Sequence, residues 1–295
     1  MATPPPAHDE LEASRAPFLE HLEELRWRLW RALIGVIVAA AVCFAFHDEI
    51  FVFLTDPLFE ILGRRNLDQT MKFRTIPGAF MFHFKTAILG GIFFGIPVVL
   101  HQAWRFVAPG LYKHERKMAL PFVVLSTLCF VGGGLFGYYL VLPEAFDFMI
   151  GYTITEGPHK MVPDITVEDY LGFTSKLLLA FGIVFEMPVA VGFLAAIGLL
   201  THHTLIRWWR WAIVGAFIVG ALLTPPDYVT QTMLAIPLIA LYGISIGIAY
   251  VFARNREGEG EALASDPPAD VAAPADAPVL PPVSEPPPPP RPPEA

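Results

Sequence analysis

Six apolar stretches set the limits on this chain: residues 29–46, 78–100, 118–142, 170–200, 211–223 and 232–252. About 20 consecutive, mostly apolar residues make a helix long enough to cross a bilayer. In hydrocarbon each backbone N–H and C=O must be satisfied within its own segment, so such stretches fold as helices. The expected fold class is all-α, a polytopic membrane protein with six transmembrane helices. Composition agrees. The 295 residues are 54% hydrophobic and only 16% charged, with a mean hydropathy of +0.51, whereas a soluble domain carries roughly 25% charged residues.

The fifth stretch is the shortest. Thr224-Pro225-Pro226-Asp227 closes it, and Trp208, Trp209 and Trp211 mark an interfacial anchor at its start. The residues fit a short complete span in a tight hairpin with the sixth, or a re-entrant segment; the complete span is the expectation adopted. Asp227 then reads as a structural turn or cap residue in the loop. Pro97, Pro121, Pro188 and Pro237 fall inside spans and are expected to kink them, which favours a cupped bundle. Gly132-Gly133-Gly134 and Gly137 read as positions of close helix approach.

Lysine and arginine counts orient the spans. Arg15, Arg26, Arg28 and Arg31 precede the first. Arg105, Lys113, Arg116 and Lys117 lie between the second and third, Arg207 and Arg210 between the fourth and fifth, and Arg254 and Arg256 follow the sixth. Both termini are expected on the cytoplasmic side. One loop on the opposite side runs against the rule: Arg64, Arg65, Lys72 and Arg74 sit there among Asp48, Glu49, Asp56, Glu60 and Asp68. The expected organisation is a disordered arm over 1–14, a membrane domain over 15–256, and a disordered proline-rich cytoplasmic tail over 257–295. The acidic, proline-rich start is not that of a cleavable signal peptide.

Several function classes drop out. The net charge is −8 and no dense basic stripe exists, so nucleic acid is not an expected partner. Cys43 and Cys129 lie in apolar stretches and read as small buried residues. No phosphate-binding glycine loop, zinc-ligand spacing or nucleophile elbow is present, and the His202-His203 pair lacks a third ligand at useful spacing. No enzyme activity, cofactor or metal is expected.

Two charged clusters carry the functional signal. Before the first span, Phe18, Leu22, Leu25 and Leu29 recur at helical spacing. Glu20 and Glu24 lie one turn apart, and Glu24 and Arg28 form an i,i+4 pair. Between the second and third spans runs Ala108-Pro109-Gly110-Leu111-Tyr112-Lys113-His114-Glu115-Arg116-Lys117. Either cluster alone is compatible with a solvated surface. Both are expected on the same side, and each sets a glutamate beside apolar and aromatic residues: Leu25 and Trp27 near Glu24, Phe106 and Tyr112 near Glu115. A partner carrying guanidinium groups followed by an apolar helix would fit. Within the fourth span, Lys176 and Glu186 are unusual intramembrane charges. They stand about 15 Å apart along a helix, too far to pair. Glu186 reads equally as a functional group or as a protonated side chain bonded to backbone opened by Pro188. Gln231 is a further polar group at the start of the sixth span.

Phe18-Leu19-Glu20-His21-Leu22-Glu23-Glu24-Leu25-Arg26 resembles the N-terminal signature of the TatC family, the signal-recognition subunit of the twin-arginine protein translocase. Three more segments resemble the family in order and spacing: Gln102 to Arg116, Ala180 to Pro188, and Leu223 to Asp227 continuing to Gln231 and Pro237. The resemblance implies a six-span cupped bundle in the bacterial cytoplasmic (inner) membrane. It also implies that Glu24 and Glu115 bind the signal peptide, with His21, Arg26, Arg28, Phe106 and Arg116 on the same surface. By the same resemblance Glu186 is the polar position of span four, Gln231 lies in the region of partner-subunit contact, and Pro57 is a first-loop proline that matters structurally. The implied partners are twin-arginine signal peptides of folded precursors, single-span TatA-type and TatB-type subunits, further copies of the chain and membrane lipid, with energy from the proton-motive force. Trp27 stands where a basic residue is common in the family, and the proline-rich tail has no counterpart in its pattern. The competing reading is a proton-coupled small-solute transporter using Glu186 and Lys176; the halves of the chain show no internal repeat to support it.

Overall fold

Helices form wherever the apolar runs lie, and in one place where the charges hide the pattern. The structure, a computed structural model, describes residues 7–107, 119–153, 164–224 and 228–265, with side chains over 20–106, 121–153, 164–224 and 228–254. In chain order the helices are α1 (Ala7–Ala45), α2 (His47–Arg64), α3 (Gly78–Val107), α4 (Ala119–Phe136), α5 (Leu142–Ile150), α6 (Val167–Phe185), α7 (Met187–Ala196), α8 (His202–Leu223) and α9 (Tyr228–Ser265). A π-helical turn, Gly137–Val141, joins α4 to α5. Among the described residues, six segments are long and apolar enough to cross a membrane: Glu20–Ala45, Gly78–Phe106, Pro121–Ile150, Val167–Ala196, His202–Leu223 and Tyr228–Arg254. The fold among the described residues is all-α. Met1–Ala253 form one unit and Arg254–Ala295 a second.

Several boundaries differ from the sequence expectation. Helix α1 reaches back to Ala7, inside the expected 1–14 arm, where Glu10, Leu11, Glu12 and Ala13 favour helix. Helix α9 continues to Ser265, into the expected 257–295 tail. Helix α8 starts at His202 rather than at Trp211, since Arg207 and Arg210 shorten the uncharged run without interrupting the helix. Pro121 falls in the first turn of α4, where a missing N–H breaks no bond. Pro188 acts as expected: α6 ends at Phe185, Glu186 sits at the break, and the proline occupies the first turn of α7.

Helix α1 packs antiparallel on α3 at very close range. A Cβ at Gly91 would lie 2.6 Å from Ala40 Cα, so only glycine admits this approach. Gly133 of α4 makes the same allowance for α6, where an added Cβ would lie 2.5 Å from the Phe181 carbonyl oxygen. Helices α8 and α9 form a hairpin. Gln231 Nε2 donates to the Phe217 carbonyl at 2.9 Å, and the Tyr242 hydroxyl donates to the Leu205 carbonyl at 2.8 Å.

The main core lies against α2. Leu54, Leu58, Ile61 and Leu62 are buried there with Tyr138, Leu142, Phe146, Tyr170, Leu171 and Phe181. Pro57, expected as a loop residue, is instead buried inside α2. It lacks the N–H that would bond the Phe53 carbonyl four residues back. That carbonyl accepts the Tyr138 hydroxyl, which the π-helical turn delivers, and the adjacent Leu54 carbonyl accepts the Tyr170 hydroxyl from α6. Two distant tyrosines thus satisfy the backbone around the proline.

The loop after α2 is fastened by its basic residues. Lys72 bridges backbone to backbone with Ile165 and Val167, and its Nζ lies 3.0 Å from Asp164 Oδ1. The Arg74 backbone N–H is shared between both Glu168 carboxylate oxygens at 3.2 Å, and its guanidinium pairs with Asp169. Arg65 Nε donates to Asp147 at 2.8 Å, a bond that holds the guanidinium pKa above its ordinary value. Arg64 pairs with Glu60 at 2.9 Å. All four basic residues that ran against the charge rule have carboxylate partners.

Candidate functional site

Helical spacing puts Glu24, Trp27, Arg28 and Arg31 on one face of α1. They line an open depression of about 420 Å³. Glu24 is not a free carboxylate. Arg28 donates to its Oε1 through Nε at 2.9 Å and through a second guanidinium nitrogen, so both bonds fall on one carboxylate oxygen. His21 Nδ1 lies 3.5 Å from the other carboxylate oxygen. The Arg28 side chain is only 16% exposed, against 34% for Glu24; the arginine is therefore the more enclosed partner and the carboxylate faces the opening. Arg26 points elsewhere. Its guanidinium sits 5.6 Å from the Trp27 ring centroid, and it reaches Glu23 only at 4.0 Å.

The His21 ring stacks on Phe106 at 4.2 Å, with an interplanar angle of 11°. This contact ties the start of the first span to the end of α3, where the second charged cluster begins. Five of the sequence-derived residues are thus joined or adjacent at this end: His21, Glu24, Arg26, Arg28 and Phe106. Glu115, Arg116 and Asp227 lie outside the described residues. Sequence reasoning left Arg31 out of the cluster, although its position seven residues after Glu24 was a legible signal of a shared face.

Glu186 occupies a separate place, at the break between α6 and α7. Its Oε1 is buried and has no hydrogen-bond partner among the described residues. Its polar neighbour is the Ser126 hydroxyl of α4, which accepts from Trp104 Nε1 at 3.2 Å. Trp104 in turn packs edge-on against Phe193 at 4.6 Å and stacks with Phe122 at 5.1 Å. Neither Ser126 nor Trp104 was singled out as a neighbour of Glu186 from the sequence, because the contact spans three helices. Lys176 is exposed, ten residues before Glu186. Gln231 is engaged in the α8–α9 hairpin described above.

An apolar groove of about 430 Å³ lies between α2, α3, α4 and α6, walled by Phe53, Leu89, Phe93, Val131 and Leu135, with Glu49 and Tyr138 among its lining residues. It shares no lining residue with the Glu24 depression.

With this geometry in hand, comparison with known proteins is decisive. Residues 20–237 match the family model of the Sec-independent protein translocase protein TatC. The chain belongs to the TatC family. Among TatC relatives, that of Desulforapulum autotrophicum is 41% identical over 255 residues, covering 86% of this chain and 92% of that protein. The TatC of Koribacter versatilis is 40% identical over 247 residues, covering 83% and 89%. A crystal structure of a twin-arginine translocase receptor TatC superposes with a TM-score of 0.70 at 34% identity, covering 79% of this chain and 99% of that one. The chain is therefore a multi-pass membrane component of the Sec-independent translocase, a protein-transport family whose members work in a complex.

Proposed function

We propose that the Glu24 end of the bundle is the docking site for the paired-arginine signal peptide of folded precursors, and that it faces the cytoplasm with both termini. The observation that carries this reading is the Glu24–Arg28 pair on an open depression. The carboxylate takes Arg28 on one oxygen only, whereas an incoming arginine can engage both oxygens through its planar fork. Docking is then an exchange: a signal-peptide arginine takes the place of Arg28 on Glu24. Lysine lacks the two-point fork and exchanges poorly.

Glu115 and Arg116 are assigned to the same surface by family resemblance, and the His21–Phe106 stack brings the start of their loop to this end. The positive-inside count supports the orientation. It gains force from the opposite loop, whose basic residues are taken up in ion pairs. Single-span TatA-type and TatB-type subunits and further copies of the chain complete the assembly, with Glu186 and the Gln231 region as their contact positions. The transporter reading is weaker because Lys176 is exposed, Glu186 Oε1 is buried, and no contact joins the two among the described residues.

Site-specific photocrosslinking tests the docking site. A photoreactive residue at position 27 is expected to capture a twin-arginine precursor, and the adduct should disappear when the two arginines become lysines. Capture that is indifferent to that replacement, or that persists in Glu24→Ala, would overturn the assignment.

A further inference from the structure

A second cluster lies at the end of the bundle opposite Glu24, where α1 turns into α2. His47 and Asp48 open α2, and His83 stands near the start of α3. Packing of α1 on α3 brings the two imidazoles to a centroid distance of 4.3 Å, edge to face. One ligand atom from each of His47, Asp48 and His83 falls within 4.8 Å of the others.

The hydrogen-bond pattern of His47 fixes its tautomer. Nδ1 lies 2.8 Å from the Phe44 carbonyl oxygen, which can only accept, so Nδ1 carries the proton and Nε2 presents its lone pair. An imidazole whose far nitrogen donates to a backbone carbonyl is the usual arrangement around a metal-bound histidine. Nε2 lies 3.5 Å from Asp48 Oδ1. Two ligands about 2.0–2.1 Å from a tetrahedral ion stand roughly 3.3–3.4 Å apart, so this pair is already at ligand spacing. His83 supplies an independent sign: its Nδ1 is buried with no hydrogen-bond partner among the described residues, a condition that protein interiors rarely leave in place. The Asp48 side chain is 78% exposed, which leaves one side open to water.

We propose that His47, Asp48 and His83 bind one divalent transition-metal ion of the zinc class, with water in the remaining position. Two imidazoles and one carboxylate suit zinc and disfavour magnesium or calcium, which prefer all-oxygen shells. The ion would clamp the α1–α2 junction to α3. The sequence hid the site because its third ligand lies in another helix, at no recognised zinc spacing.

The test uses the full chain in detergent, free of affinity tags and stripped of metal. Zinc titrated in competition with a chromophoric chelator is expected to bind at one ion per chain. The bound form should melt at a higher temperature, since a ligand of the folded state stabilises it. Cobalt in place of zinc should give the intense visible bands of a four-coordinate ion. His47→Asn and His83→Asn should each weaken zinc binding at least about tenfold, whereas His202→Asn/His203→Asn should leave it unchanged. Absence of stoichiometric zinc binding by the wild-type chain would overturn the proposal. So would binding that survives in both single variants or follows the His202-His203 pair.

Discussion

At the α2 end of the bundle, several polar groups are satisfied by partners far away in the chain; at the Glu24 end the ion pairs form within a single helix. Tyr138 reaches the Phe53 carbonyl across 85 residues and Tyr170 reaches Leu54 across 116. Arg65, Lys72 and Arg74 likewise find acids in other segments. Glu24 pairs with Arg28 one turn away, on the rim of an open depression. Long-range bonds inside a core hold a fold together, and losing one leaves a buried group unsatisfied. A local pair at the surface adds little to stability, and it exchanges partners without disturbing the fold. One end is built to persist and the other to swap.

Substitutions graded by expected stability loss probe that contrast. Leu58→Ala empties a fully buried position of α2 and is expected to cost about 2–5 kcal/mol, seen as a large fall in melting temperature in detergent. Tyr138→Phe keeps the ring but strands the Phe53 carbonyl that Pro57 leaves without an N–H, at an expected cost of about 1–3 kcal/mol. A melting temperature equal to wild type would mean that the Pro57 backbone is satisfied some other way. Gln231→Leu removes the tie between α8 and α9, worth about 0.5–1.5 kcal/mol. This variant also separates two roles for Gln231. A hairpin role lowers the melting temperature, while a purely partner-facing role lowers co-purification of single-span subunits and leaves melting alone. Arg74→Gln breaks an exposed pair and should cost at most about 1 kcal/mol. A larger loss would show that the loop fastening belongs to the core.

Much of this was legible in the sequence, for reasons that also explain what was not. Apolar runs reveal spans because the bilayer imposes their length. The Glu24–Arg28 pair was visible because i,i+4 contact is a property of the helix alone. Helix α2 was hidden: Glu49, Asp56 and Glu60 dilute its hydropathy, and Pro57 reads as a breaker. The spacing of Leu54, Leu58, Ile61 and Leu62 was the signal that could have exposed it. The two tyrosine bonds, the Ser126–Trp104 neighbours of Glu186 and the His47–His83 approach all join distant segments, and nothing in local spacing announces them. The shift of Pro57 from an expected loop to a buried helix position has the same origin, since its missing N–H is compensated from elsewhere in the fold.

The central claim is that Glu24 exchanges its arginine without a structural role, and the affinity of the purified chain for a twin-arginine signal peptide tests it most directly. Glu24→Gln is predicted to melt like wild type and to bind at least about tenfold more weakly, as expected when a charge-assisted pair is lost. Arg28→Gln, which frees the carboxylate, is predicted to bind at least as tightly as wild type. Unchanged affinity in Glu24→Gln, or a loss in Arg28→Gln as large as that predicted for Glu24→Gln, would contradict the exchange.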